Sequence, residues 1–214
     1  SQADTGQIVD RIPIRLSAEK RYLIKDELAI LDVIASNINE RPVYFAVTCR
    51  PEKMFGLQDY MQMEGLSLRI VPVRTPATPD RRQYGSVYGA GRVATDIAYD
   101  NVMNRFAWGN FDQYDLFVDR SYGPSVQSHH ILMLRTAEAL LREGDKERAK
   151  NLALKYLEAL PDMNFPYDYR TMRLINVLVS ADAYEEAKPH MKILAEETLD
   201  HLEFYESLDI EDLE

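Results

Sequence analysis

The chain has 214 residues, with 25 Lys and Arg against 35 Asp and Glu and a net charge of −10. Its composition, 46% hydrophobic and 28% charged, excludes global disorder and collagen-like repeats. An acidic surface repels phosphate backbones, so no nucleic-acid partner is expected. No run approaches the ~18 apolar residues of a membrane helix, and Ser1–Gly6 shows no basic and apolar leader. A signal peptide and a membrane-spanning segment are therefore not expected in this chain. A single cysteine, Cys49, excludes an internal disulfide and a multi-cysteine zinc site.

In chain order, Ile12, Ile14 and Leu16 alternate as in a strand, and Pro13 pushes that strand to an edge. Ile24, Leu28, Leu31, Ile34 and Ile38 recur every three or four residues, which predicts an amphipathic helix with Asp26 and Glu27 in its first turn. Pro42 to Cys49 runs apolar without alternation and predicts a strand covered on both faces. A second helix is expected from Pro51 to Glu64 with Gly65 as its cap, then a strand from Leu66 to Val73. Strand, helix, strand with short joints is a βαβ unit, so these two strands are expected to be parallel neighbours in a partial Rossmann-like layer.

Residues 74–92 lose periodicity and hold Pro76, Pro79, Gly85, Gly89 and Gly91, a long loop. Thr95 is placed to cap a helix whose stripe is Tyr99, Val102, Met103 and Phe106. From about Ser121 the texture is helical throughout. One helix carries Ile131, Leu134, Ala137 and Leu141 and stops at Gly144; the next carries Ala149, Leu152, Ala153, Tyr156, Leu157 and Leu160. A third covers about Tyr167 to Ala181, and a fourth runs from Ala183 to about Leu208 with Pro189 inside, where a kink or late start is expected. The stretch from Gly144 to Lys150 lines up with Asp182 to Lys188, and Ala137, Ala149 and Pro161 stand at tetratricopeptide-like spacings. The fold class read from these signals is α/β over residues 1–120, followed by tetratricopeptide-like helical hairpins over 121–214.

Chemistry is sparse. Gly89–Ala94 matches G-x-G-x-x-A, but a dinucleotide site needs those glycines directly after a strand, and a polar, proline-bearing stretch precedes them. Arg74, Arg81, Arg82 and Arg92, with Tyr84 and Tyr88 between them, concentrate guanidinium in an acidic protein. Arginine forks pair with carboxylate or phosphate, so these six are the candidate anion or ligand contacts, set against pairing with the protein's own acidic groups. Asp96 and Asp100 share a helix face and read as capping and surface groups. His129 and His130 point about 100° apart on a helix and cannot chelate one metal; they read, with His190 and His201, as solvent or interface residues. The pattern names no catalytic set, cofactor or metal site.

Arg41-Pro-Val-Tyr-Phe-Ala46, Gln62-Met-Glu-Gly-Leu66, Leu68-Arg-Ile-Val-Pro-Val73, Arg92-Val-Ala-Thr-Asp96 and Tyr99-Asp-Asn101 carry a family likeness. In them the chain resembles the C-terminal region of the Bacteroidetes multi-pass membrane proteins called domain of unknown function 2723, whose membrane half is protein O-mannosyltransferase-like. The resemblance implies a domain on the periplasmic face of the inner membrane, part of a longer membrane protein. It implies partnership with the transmembrane half of that protein, and with an acceptor peptide, glycan or envelope protein. The catalytic acids of such enzymes lie in the membrane half, so the resemblance implies a non-catalytic accessory domain of a glycosyltransferase. A small-molecule enzyme with its site at the C-terminal edge of the parallel strands, and a purely structural domain, are the alternatives.

Overall fold

The computed structural model describes residues 6–16, 20–78, 84 and 88–208. The chain divides into two compact units, Ser1–Asn104 and Arg105–Glu214, the second beginning ahead of the helical texture at Ser121.

In the first unit, the Pro42–Cys49 run forms a short strand, β2 (Tyr44–Ala46), that is covered on one face only. Val43, Phe45 and Val47 are buried whereas Tyr44 is 44% exposed, so the expected double burial is replaced by alternation. The expected helix from Pro51 to Glu64 is also absent. Two single 3-10 turns, Pro51–Met54 and Gln58–Tyr60, deliver the chain into a strand, β3 (Met61–Met63). Phe55 at φ 52 and Gly56 at φ 74 break the helical path between them.

Strand β4 (Ser67–Ile70) then pairs antiparallel with both β2 and β3. The expected parallel crossover between the Pro42–Cys49 and Leu66–Val73 strands is therefore wrong: no crossover helix forms, β3 runs back in its place and closes on β4 through a three-residue turn, and β2 and β4 lie antiparallel. Gly65, at φ 128, serves that β3–β4 turn instead of a helix end. Strand β6 (Arg92–Val93) adds in parallel to β3, giving the order β2-β4-β3-β6. A separate pair joins β1 (Gln7–Ile8) to β5 (Val73–Arg74), antiparallel. Beyond Ile8 the predicted first strand continues as an arm held by bonds from Val9 N to the Pro72 carbonyl (3.0 Å) and from Arg15 N to the Phe55 carbonyl (2.7 Å).

Register builds the core of this unit. Phe45 stands opposite Leu68, Leu68 opposite Met63, and Met63 opposite Val93. All four are buried, at 7% exposure or less. Cross-strand neighbours share a face, so this row is the sheet's apolar side. The first helix, α1 (Lys25–Asn37), forms where the periodicity places it, but its apolar positions are not sealed: Glu27 is its one buried residue. Glu27 accepts from Ile24 N at 3.1 Å and from Lys53 Nζ at 3.1 Å, and bonds Lys20. These contacts hold its carboxyl down to about 2, the Lys20 bond first. Helix α2 (Thr95–Asp100) follows β6 and passes into a π-helical turn, Asn101–Arg105. Thr95 lies inside it; the capping position is Ala94.

Among the described residues the second unit carries four long helices: α3 (Gly123–Glu143), α4 (Lys146–Ala159), α5 (Tyr169–Ser180) and α6 (Tyr184–Ser207). Each packs on the next in sequence, and α3 also packs on α5. Helix α3 ends on Gly144 at φ 83, and Asp145 and Asp168 cap α4 and α5 with their side chains. The whole predicted stripe of α4, from Ala149 to Leu160, is at most 6% exposed. Helix α3 is buried from His130 through Ala137, on every side rather than on one stripe, as a central helix is. Helix α6 does not start late; it begins at Tyr184 and runs through Pro189. Among the described residues no helix is long and apolar enough to cross a membrane.

Candidate functional site

The polar face of the four-stranded sheet gathers side chains from distant parts of the chain. Tyr44 stands opposite Arg69, Arg69 opposite Gln62, and Gln62 opposite Arg92. Glu64, two residues beyond Gln62 on the same face, is the centre of this row and is 5% exposed. Its carboxylate accepts from Tyr44 Oη at 2.8 Å and Gln62 Nε2 at 2.7 Å, and lies 3.7 Å from the Arg69 guanidinium. Its backbone carbonyl accepts from Asn101 Nδ2. A buried carboxylate demands such partners, because its charge has left water. The bond to Glu64 pushes the Tyr44 phenol above its ordinary range, which keeps it a donor. Glu64 is thus a structural hub whose oxygens are taken.

Of the predicted arginine cluster, Arg74 and Arg92 stand in different sheets. Arg81 and Arg82 lie outside the described residues. Arg74 is on β5, in the other sheet, with its guanidinium 3.6 Å from Asp59. Arg92 is on β6 in the polar row, and its Nε is buried without a hydrogen-bond partner. Tyr84 is buried at 6% exposure, and Tyr88 is half-buried. The glycines have a backbone purpose. Gly91 sits at φ +70, and a Cβ there would lie 2.2 Å from the Met61 carbonyl oxygen. Its amide donates to the Thr75 carbonyl at 2.9 Å. A strand, not a helix, follows it, so Gly91 is fitted to close approach of two backbones.

Beside this sheet lies an open cleft of about 750 Å³, within the range of small-ligand and peptide sites. Leu31 and Ile34 of α1, with Ile38 at its C-cap, form one wall, and Ile12 and Ile14 of the arm another. Asp10, Glu40 and Arg41 stand among its polar lining. Cys49 is a half-buried free thiol in the turn after β2. Among the described residues no three His, Cys, Asp or Glu side chains come together as a metal site.

In the second unit the histidines divide. His190 is half-buried and bonds the Tyr167 hydroxyl at 2.9 Å. His129 bonds the Ser125 carbonyl at 2.8 Å and packs against Phe106 and Trp108. His130, expected at a surface, is 3% exposed with no hydrogen-bond partner on Nδ1. Burial drives its pKa down to about 4, so it is neutral. The one available signal was its place on α3 just before the Ile131–Leu134 run.

The geometry defines a small α and β unit with a one-sided mixed sheet and an open apolar cleft, followed by a helical unit. Residues 1–89 match the family model of TMEM260-associated domain 2, a domain of unknown function. That span holds β1–β5, α1, the cleft and Glu64 with its partners Tyr44, Gln62 and Arg69. No curated protein and no solved structure matches the chain.

Proposed function

We propose that the chain is a non-catalytic accessory domain that holds an extended apolar segment beside a membrane-embedded glycosyltransferase. The carrying observation is the cleft: Leu31, Ile34 and Ile38 face an open groove of about 750 Å³ rather than a sealed core. An apolar wall with a few polar groups suits a peptide or glycan-bearing acceptor, whose backbone or sugar meets Arg41 and Glu40. The match to a domain named for its association with TMEM260 supports an accessory role. The resemblance to domain of unknown function 2723 supports the finer reading, a periplasmic domain of a longer protein O-mannosyltransferase-like membrane protein. The tetratricopeptide-like reading of the helical unit belongs with it, resting on the consecutive packing of α3 to α6.

A second reading, a purely structural domain lying against the membrane half, draws on Ile24 at the N-cap of α1 and on Leu28 and Val33 within it, which are 46%, 52% and 53% exposed. The small-molecule enzyme alternative was placed at the edge of two parallel strands, and β2 and β4 run antiparallel, so that placement draws no support.

The test is affinity capture from envelope extract with the wild-type chain and with a Leu31→Asp/Ile38→Asp variant. Recovery of a membrane glycosyltransferase or its acceptor by the wild type, lost in the variant, is expected. Capture that the variant leaves unchanged, or no capture of either class, overturns the proposal.

A further inference from the structure

Helix α6 outruns its neighbour. It has 24 residues where α5 has 12, about 36 Å against about 18 Å at 1.5 Å per residue. The short joint at 181–183 sends α6 back along α5, so its first half is the part that packs. Ala187 there is fully buried. The second half continues past the start of α5, and its apolar residues stay open to solvent. Met191, Leu199, Leu202 and Tyr205 are 40–59% exposed. At about 100° per residue these four, with the partly covered Leu194, fall on one face about 140° wide. A stripe of that width is what a helix buries against a partner. Phe204 lies off it, edge-on to Tyr205.

The charge on this half has one sign. Glu196, Glu197, Asp200, Glu203 and Glu206 stand on it, and no Lys or Arg follows Lys192. Lys192 reaches Glu196 at 3.6 Å, which leaves Glu197, Asp200, Glu203 and Glu206 with no Lys or Arg of their own helix beside them. Glu203 borders the stripe on one side, Glu197 on the other, and Glu206 closes its end. Three costs fall on the same turns. Asp200, Glu203 and Glu206 follow one another at i, i+3, a repulsive spacing on a helix. They approach the negative end of the macrodipole with no basic residue in the last turn. An overhang of about 12 residues is also too short to be stable in water on propensity alone. Cations laid along the borders relieve the first two costs, and apolar groups covering the stripe relieve the third. The same charge disfavours other occupants. A second copy would set carboxylates against carboxylates, and an anionic lipid surface would repel them.

We propose that the overhanging half of α6 docks a basic amphipathic helix of a partner protein. The partner's apolar face covers Leu199, Leu202 and Tyr205, and its Lys or Arg flanks meet Glu197, Glu203 and Glu206. The face is independent of the cleft in the first unit, so neither reading falls with the other.

Fluorescence anisotropy of the full chain tests this with a labelled synthetic helix of about 18 residues, Leu on one face and Lys on the other. A scrambled peptide of the same composition keeps the charge and loses the face; a Leu/Glu peptide keeps the face and reverses the charge. Two variants accompany them, Leu199→Gln/Leu202→Gln and Glu203→Gln/Glu206→Gln. All of these positions are exposed, so the packing of α3 to α5 does not depend on them, and circular dichroism checks the fold. The expected result is binding of the Leu/Lys helix by a monomeric chain, weakened about tenfold or more by the leucine pair and about threefold or more by the glutamate pair. No binding, equal binding of the scrambled or Leu/Glu peptide, or unchanged binding in either variant overturns the proposal. A dimer in sedimentation velocity that Leu199→Gln/Leu202→Gln dissolves, or cosedimentation with phosphatidylserine vesicles, overturns it by giving the face to another occupant.

Discussion

His130 makes the stability of the second unit depend on pH in a calculable way. Burial holds the folded imidazole at about 4 against 6.5 for a free one. At neutral pH both folded and unfolded states carry a neutral ring. Between pH 6.5 and 4 the unfolded chain takes up a proton that the folded chain refuses, so stability falls as pH falls. Linkage gives a loss of about 2 kcal/mol at pH 5, approaching about 3 kcal/mol below pH 4. For the second unit, Arg105–Glu214, that is roughly 8 °C of melting temperature at pH 5. The assay is thermal unfolding of the wild type and of His130→Phe, which keeps a ring against Tyr156 but cannot titrate. Carboxylates and His190 titrate in both proteins and cancel in the difference. The gap should widen in favour of the variant by that amount between pH 7.5 and 5. Parallel profiles would refute the buried neutral histidine.

Two further outcomes concern the first unit, one of them with Gly144 of the second as its control. Gly91→Ala should cost at least about 2 kcal/mol, since it adds a contact 2.2 Å from the Met61 oxygen to the left-handed backbone penalty. Gly144→Ala, with φ +83 and open space around it, should cost only the latter, about 1 kcal/mol; equal losses in chemical denaturation would remove the close-approach argument. Glu64→Leu should destabilise by about 2–4 kcal/mol, because Tyr44, Gln62 and Arg69 lose their acceptor together. Adding Tyr44→Phe to it should recover part of that loss in a double-mutant cycle, and strict additivity would show that the hub is not shared.

The helical half was readable because its signals are local. A stripe such as Ala149 to Leu160 repeats within one segment, and its stops and starts, Gly144, Asp145 and Asp168, act on their own neighbours. The helix at Lys25–Asn37 was legible for the same reason, yet its burial was not: how far an apolar stripe is covered depends on what the rest of the chain brings to it.

The sheet was misread because strands of three residues carry too few positions to display a period. Met61–Met63 is a strand because β4 and β6 flank it, and nothing within Pro51–Glu64 announces either partner. Gly65 signalled a left-handed turn, but that turn closes a hairpin as readily as a helix. The site shows the same division. Arginine excess and glycine spacing could be seen in the chain, but which arginines meet depends on register. Arg92 joins Gln62, Arg69 and Tyr44 across four strands, while Arg74 is drawn away to Asp59. Composition and local periodicity thus determined the charge, the helices and their ends. Tertiary structure alone decided the antiparallel pairing, the burial of Glu64 and the neutral His130, because each depends on groups far apart in sequence meeting where water is excluded.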